Sequence, residues 1–283
     1  MRLLFLLLST FCLQVFGQTL QYEKADSVKV EQLLASARQQ DKGTNMVIFF
    51  ARQLIGTPYI AKTLENNDRE NLVINLRELD CTTYVENVLA LFLCHKNHQK
   101  RFQDFCQFLR LVRYRNGKVA YPNRLHYFSS WIEDNVRMGY IQHVEELDPP
   151  FSATQVLDLH YMTTTHPQYY PMMKGKPEVI AAIREMEIEL TGNEYLYIRK
   201  DSIRNTPLLR RCIKDGDILA MLTSRKGLDT SHVGIAIWHD DGLHLLNASS
   251  IHGKVVEEPM TLNKYMSRQR SQIGIRAVRC AGL

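Results

Sequence analysis

Leu79-Asp80-Cys81-Thr82-Thr83-Tyr84-Val85-Glu86-Asn87-Val88-Leu89-Ala90-Leu91-Phe92 decides how the rest of the chain is read. From Tyr84 onward it is strongly apolar. Val85, Val88, Leu89 and Phe92 fall at the i, i+3, i+4, i+7 spacing of a helix packed into a core. Asp80, Thr82 and Thr83 are residue types that begin helices, because their side-chain oxygens accept unpaired first-turn N–H groups. Cys81 is therefore expected at or within the first turn, where the positive end of the helix dipole favours a thiolate. Two readings are open there: a nucleophile, or a small core cysteine kept for packing.

The other cysteines favour a free thiol. Met1-Arg2 and the apolar run Leu3-Leu4-Phe5-Leu6-Leu7-Leu8 lead to Val15-Phe16-Gly17, the pattern of a signal peptide over residues 1–17. A lipoprotein reading through Cys12 is disfavoured by the bulky Phe11 before it. Removing the signal leaves Cys81, Cys94, Cys106, Cys212 and Cys280, an odd number, so pairing in an oxidising compartment leaves one thiol over. No later segment approaches the ~20 apolar residues of a membrane span. The expected protein is exported, periplasmic or extracellular, without stable membrane insertion.

At 283 residues and 45% hydrophobic content the chain can bury a full core. Its net charge of +5 and pI near 8.8 come from interspersed charges rather than a dense basic stripe, which argues against nucleic acid as a partner. No C-x-x-C pair or H-E-x-x-H helix suggests a metal, and Cys94-His95 with His98 reads as an exposed helix end. No metal and no cofactor are expected.

Helical patterns run over about Ala25–Gln40, Thr44–Ile55, Arg101–Val112 and Leu125–Val136, with a strand-like Leu72-Val73-Ile74 among them. Asp148-Pro149-Pro150 breaks the pattern. His160 to Pro177 is too irregular for a core element, and reads equally as a site-lining loop or a surface connection. Pro177 opens a helix to about Leu190. After Gly192 come strands: Tyr195–Ile198, Asp217–Met221, Val233–Trp238, Leu243–Asn247 and Gly274–Val278. Helices first and antiparallel strands second make an α+β fold. The expected division is an N-terminal helical extension over 18–42 and one domain over 43–283.

Ser231-His232-Val233-Gly234-Ile235-Ala236-Ile237-Trp238 alternates as a half-buried strand. His239-Asp240-Asp241-Gly242 turns, and Leu243-His244-Leu245-Leu246-Asn247-Ala248-Ser249 returns. A turn centred on Asp240-Asp241 pairs residues whose numbers sum to about 481. His232 then lies opposite Ser249, with Asn247 its diagonal neighbour on the same face. A cysteine nucleophile needs a histidine base, and the base needs a third polar group to hold its tautomer. Cys81, His232 and Asn247 supply all three.

Gly56-Thr57-Pro58-Tyr59, Leu79-Asp80-Cys81-Thr82, Asp215-Gly216-Asp217-Ile218, Ser231-His232-Val233-Gly234-Ile235 and Asn247-Ala248-Ser249, in this order, resemble the motifs of the NlpC-type cell-wall cysteine peptidases, a papain-like superfamily. Cys81-Thr82-Thr83, with Arg124-Leu125-His126-Tyr127-Phe128 downstream, is similar to its N-acetylmuramoyl-L-alanine amidase-like branch. The resemblance covers about Gly43 to Arg279. It implies an antiparallel sheet with the nucleophile helix packed on it, here with extra helices and a long loop insertion.

The resemblance also implies Cys81 as nucleophile, His232 as base and Asn247 as the orienting group, where many relatives carry His. The implied reaction cleaves the amide between N-acetylmuramic acid and L-alanine in peptidoglycan fragments through a thioester. A stem-peptide endopeptidase cutting at γ-D-glutamyl-diamino acid and a non-catalytic wall-binding module are the alternatives. Tyr59, Asp80, Arg124, His126 and Tyr127 are candidate substrate contacts. The plainer reading makes Tyr127 and Phe128 helix core and Arg124 a surface charge.

Overall fold

A computed structural model describes residues 20–144 and 150–283; the expected signal peptide and the Asp148-Pro149 part of the break lie outside them. The first part runs β1 (Leu20–Gln21), α1 (Lys24–Ala37), α2 (Met46–Gln53), β2 (Leu72–Val73), α3 (Cys81–Lys96), α4 (Phe102–Arg113) and α5 (Phe128–Arg137). Next come β3 (Ile141–His143), β4 (Ala153–Val156), α6 (Pro177–Leu190), β5 (Glu194–Arg199) and α7 (Pro207–Cys212). The chain ends with β6 (Ile218–Thr223), β7 (Thr230–Trp238), β8 (Leu243–Ser249), β9 (Lys254–Glu257), α8 (Leu262–Ser267) and β10 (Gln272–Cys280).

Among the described residues the main sheet has eight strands in the order β4-β5-β10-β6-β7-β8-β9, with β3 also on β10, and every pairing is antiparallel. The protein is therefore mixed α+β. The expected segregation of helices before strands is incomplete, because β3 belongs to the helical half yet pairs with the C-terminal β10. β3, β4, β9, α7 and α8 are too short or too weakly patterned to stand out in the sequence.

Two cores lie on opposite faces of the sheet, as the two-residue period of the strands requires. Ile218, Ala220, Val233, Ile235 and Leu246 face the helices, with α3 at their centre. Leu219, Met221, Ala236 and Leu245 face α7 and α8. From Thr83 to Cys94 every residue of α3 is buried, so this helix is a core rod rather than a surface helix with one apolar stripe. Each fully buried Leu, Val or Phe in it contributes about 1.5–3 kcal/mol.

α1 packs into this same core through Val30, Leu33, Leu34 and Ala37, and buried Asp26 accepts from Leu76 N and Arg77 Nε. It is thereby packed as part of the helical layer. A third apolar cluster lies under the 157–190 segment, built from Leu157, Leu159, Met162, Met172, Met173 and residues of α6. That segment is ordered as a π-helical turn at Tyr161–Thr165, short 3-10 turns and α6.

Candidate active site

Asp80 is the N-cap of α3. Its Oδ1 accepts from Thr83 N at 2.8 Å, and Thr83 Oγ1 accepts from Asp80 N at 2.9 Å, a reciprocal capping box. Cys81 thus occupies the first helical position, as expected. The Val233 N–H and the hydroxyl and N–H of Thr82 favour its thiolate form. Val233 follows His232 directly, so the thiol meets β7 at the histidine.

The β7–β8 ladder pairs Ile235 with Leu246, Ala236 with Leu245, Ile237 with His244 and Trp238 with Leu243. All four pairs have the expected sum of 481. His232 and Asn247 lie beyond these pairs and are joined by a hydrogen bond of 3.0 Å from Nε2 to Oδ1. The amide orientation follows from its other end, where Asn247 Nδ2 donates to Leu245 O at 3.3 Å. Oδ1 therefore faces the imidazole and accepts from Nε2–H, which leaves the Nδ1 lone pair as the proton acceptor. Gly234, two residues on, lies against β8; a Cβ there would come within 2.8 Å of the Leu245 side chain and of Leu246 O.

The electrostatics correct one expectation. Burial, with the Asp80 charge beside it, pushes the Cys81 thiol up to about 12, although three hydrogen bonds pull the other way. The helix dipole supplies only a fraction of a charge and does not outweigh these effects. Burial also holds the His232 pKa below 6.5, against the raising influence of Asn247 and Asp80.

Tyr59 is strapped beside Cys81. Its N–H donates to Gly253 O, and Leu79 N donates to Pro58 O at 3.0 Å, so the Gly56–Tyr59 turn bridges β9 and the lead-in to α3. Burial, then the proximity of Cys81 and Asp80, raise the Tyr59 phenol to about 12. The Asp215–Ile218 motif is architectural. Asp215 Oδ1 accepts from Trp238 N at 2.7 Å, Asp217 pairs with Arg279 at 2.7 Å, and Gly216 has φ +91° against the Asn45 side chain.

A groove of about 340 Å³ opens from the start of α3, lined by Asp80, Thr82, Arg124, His126, Tyr169 and Tyr170 among others. Arg124 is buried rather than a surface charge. Its guanidinium pairs with Glu65 and, at 3.5 Å, Glu70, and lies 4.8 Å from the centre of the Tyr121 ring, so it shapes the wall with its hydrogen bonds already committed. His126 bonds Tyr121 O through Nε2 at 2.8 Å; burial and Arg124 hold its pKa well below 6.5, leaving a neutral ring with Nδ1 as acceptor. Tyr127 does not reach the groove. It is buried, and its hydroxyl donates to Glu187 Oε1 at 2.6 Å, which makes it an anchor for the 157–190 segment.

Tyr265, from α8, was not legible in the sequence. Its ring centre lies 6.1 Å from that of His232, and burial, Glu258, Cys81 and Tyr59 raise its phenol to about 12. Nothing in Leu262–Ser267 marks it, since only the packing of α8 under β8 brings it there. Among the described residues one group has the make-up of a metal site: His239, Asp241 and His244 at the hairpin turn, with ligand atoms within 4.8 Å of one another. Hydrogen bonds account for it: His244 bonds Asp241 and Glu258 O, each at 2.8 Å, and His239 bonds Glu257. The two imidazoles are stacked at 17°, so their ring planes do not converge on one point. Cys94, His95 and His98 do not form such a group.

Fold and site together define a mixed α+β protein with a helix-start cysteine packed against a His–Asn hairpin. Residues 49–275 match the N-acetylmuramoyl-L-alanine amidase-like family, and the chain belongs to it. It is 37% identical to an N-acetylmuramoyl-L-alanine amidase from Bacteroides uniformis, over 85% of this chain and 99% of that one, with a TM-score of 0.77. A Bacteroides fragilis protein of known structure, provisionally named a xylanase, is 42% identical over 81% of this chain and 98% of its own, with a TM-score of 0.74. A Legionella pneumophila protein at 22% identity shares the fold over 91% of this chain and 95% of its own, with a TM-score of 0.67. No curated protein matches the chain. No helix among the described residues is long and apolar enough to cross a membrane.

Proposed function

We propose that this chain is a cysteine hydrolase of the NlpC-type, papain-like superfamily that cleaves the amide between N-acetylmuramic acid and L-alanine in peptidoglycan fragments. The observation that carries the reading is the His232–Asn247 hydrogen bond of 3.0 Å beside Val233, in the core cluster against which Cys81 packs. Family membership and the Bacteroides uniformis amidase support the choice of bond.

Both partners begin neutral. As Cys81 Sγ attacks the lactyl carbonyl, His232 Nδ1 takes the thiol proton, and the charge on the tetrahedral oxygen is met by the Cys81 N–H, a first-turn donor without an intrahelical acceptor. The imidazolium, held by Asn247, then protonates the departing L-alanine amine. A muramyl thioester remains. His232 next deprotonates a water that attacks the thioester, releasing N-acetylmuramic acid and restoring the thiol. Residues 1–17 act as an export signal and place the enzyme outside the cytoplasm.

Glycoside cleavage, suggested by the provisional name of the Bacteroides fragilis relative, fits the groove less well. It requires two carboxyl groups available to the scissile bond. Here Asp80 caps α3, Glu65 pairs with Arg124 and Glu86 pairs with Arg113 at 2.6 Å. The test is mass spectrometry of a defined muropeptide incubated with wild type and with Cys81→Ala. Intact stem peptide released by wild type alone supports the proposal. A dipeptide product points instead to cleavage inside the stem, and unchanged muropeptide with both proteins overturns the assignment.

A further inference from the structure

Charges that are interspersed along the sequence are gathered by the fold. Residues 199–214 and 262–272 carry nine Arg and Lys against one acidic residue, Asp201, whereas the whole chain is only +5. Everything outside these two segments is therefore net negative. The fold places both segments on one side of the sheet. Asn263 Nδ2 donates to Lys200 O at 3.2 Å, and Lys200 Nζ donates to Gln269 O at 3.4 Å. Ile203, Leu209, Leu262 and Met266 share the core beneath them. α7 and α8 thus form one layer, apolar on its inner side and cationic on its outer side.

Part of this charge is committed. Arg199 pairs with Asp201 at 3.3 Å, and Arg210 lies 4.3 Å from the centre of the Trp238 ring and donates to His239 O at 2.8 Å. Arg211, Lys264, Arg268 and Arg270 are exposed and have no ion-pair partner among the described residues. Asp240 and Asp241 border the layer at the hairpin turn, where Asn205 bonds the Asp240 carbonyl and His244 takes up Asp241. Like charges held on one face repel each other, a cost that an anionic partner removes. None of the large apolar side chains exposed among the described residues belongs to these segments, so the face lacks the wedge that enters a bilayer. It is also continuous with the candidate active site. α8 turns Tyr265 inward, its ring centre 6.1 Å from that of His232, and carries Lys264 and its C-cap Arg268 on the outside.

We infer that the α7–α8 face docks the enzyme on the intact cell wall, whose stem peptides present carboxylates at every repeat. An exposed ion pair is worth only ~0–1 kcal/mol. A soluble fragment with a few carboxylates gains little from such a face. A polymer meets several of the cations at once, and each contact raises the effective concentration of the next. The face therefore sorts the polymer from its fragments and leaves the chemistry at Cys81 the same for both. The inference deepens the amidase reading and rests on it for the identity of the polymer.

The experiment is co-sedimentation of Cys81→Ala, so that nothing is turned over. The probes are purified sacculi, the same sacculi with their carboxyl groups amidated by carbodiimide and ammonia, and phosphatidylglycerol vesicles. The face is reversed by Arg211→Glu, Lys264→Glu, Arg268→Glu and Arg270→Glu together. Lys24→Glu, Lys42→Glu, Lys100→Glu and Lys118→Glu, exposed in the helical half, make an equal change of charge as the control. Cys81→Ala is expected to pellet with native sacculi, to be released as salt rises, and to ignore amidated sacculi. Face reversal is expected to weaken wall binding about tenfold beyond the control. With Cys81 intact, the same reversal is expected to leave turnover of a soluble muropeptide unchanged, which also reports folding. Gln at the four positions is the milder set should reversal unfold the chain, with about threefold weaker binding expected.

Equal loss in the face and control variants, equal pelleting with amidated sacculi, or no pelleting with native sacculi overturns the docking face. So does vesicle binding as tight as wall binding and lost with the same four cations, which would reassign the face to an anionic membrane. A chain that binds sacculi through this face yet cleaves no muropeptide removes the amidase reading and leaves the docking face standing. Cleavage of soluble muropeptide without wall binding does the reverse.

Discussion

The β7–β8 hairpin and the 157–190 segment both bring side chains to the N-terminus of α3, but different physics holds them there. The hairpin is local. A two-residue alternation and a tight turn set its register, so His232 and Asn247 meet without help from distant residues. The segment has no such repeat. It is held by its own methionines packed inward and by a single buried carboxylate, Glu187, that gathers three donors from Met162 and Thr163 within the segment and a fourth from Tyr127 outside it. The chemistry rests on the rigid, short-range element, and the long-range element frames the groove. Loss of one should therefore abolish turnover, and loss of the other should alter recognition.

The largest effect breaks the chemical side. Cys81→Ala is expected to lower kcat by ~10⁴-fold or more with unchanged folding, read as product formation against circular dichroism. Asn247→Ala should follow at ~10²-fold in kcat, because His232 loses the acceptor that fixes its tautomer. Restored activity in Asn247→His would show that orientation is what the position supplies. No change in either asparagine variant would remove Asn247 from the mechanism.

Glu187→Ala attacks the other side. It takes the acceptor from the buried Tyr127 hydroxyl and from the part-buried Thr163 N–H and leaves Met162 N only the Tyr127 oxygen, a cost of about 2 kcal/mol expected to fall on the segment alone. Hydrogen exchange should rise over 160–176 while β7 and β8 stay protected, and KM should rise more than kcat falls. Exchange that rises equally in the hairpin would show that the two regions form one cooperative unit.

The pH profile sharpens the comparison further. With His232 held below 6.5, kcat/KM should be at its plateau at neutral pH. It should fall only as pH drops through that lowered pKa and the base becomes protonated. The thiol, at about 12, stays neutral across the same range, so iodoacetamide labelling of Cys81 should keep accelerating above pH 8. A labelling rate already level between pH 5 and 8 would instead mark a preformed thiolate–imidazolium pair.

The smallest effect is at the cap. Asp80→Ser keeps an N-cap acceptor and should cost under about 1 kcal/mol in thermal unfolding. It removes the charge beside Cys81, so labelling at neutral pH should be faster than in wild type. A slower rate would mean that Asp80 helps the thiol ionise.

What the sequence by itself determined was set by near neighbours: the helix that starts at Cys81, the alternation of the C-terminal strands, and the hairpin sum that joins His232 to Asn247. Propensity, capping and pleat act over a few residues, and they can be read from a few residues. Tertiary structure alone decided the rest. Arg124 lines the groove but is locked to Glu65 and Glu70, and Tyr127 is turned away to Glu187, partners far away in the chain. Tyr265 reaches His232 only because α8 folds under β8, and burial beside Asp80 pushes the Cys81 thiol pKa up against the pull of the helix end. Burial and charge are sums over every group that packs nearby, and which groups do so is settled only when the chain closes on itself.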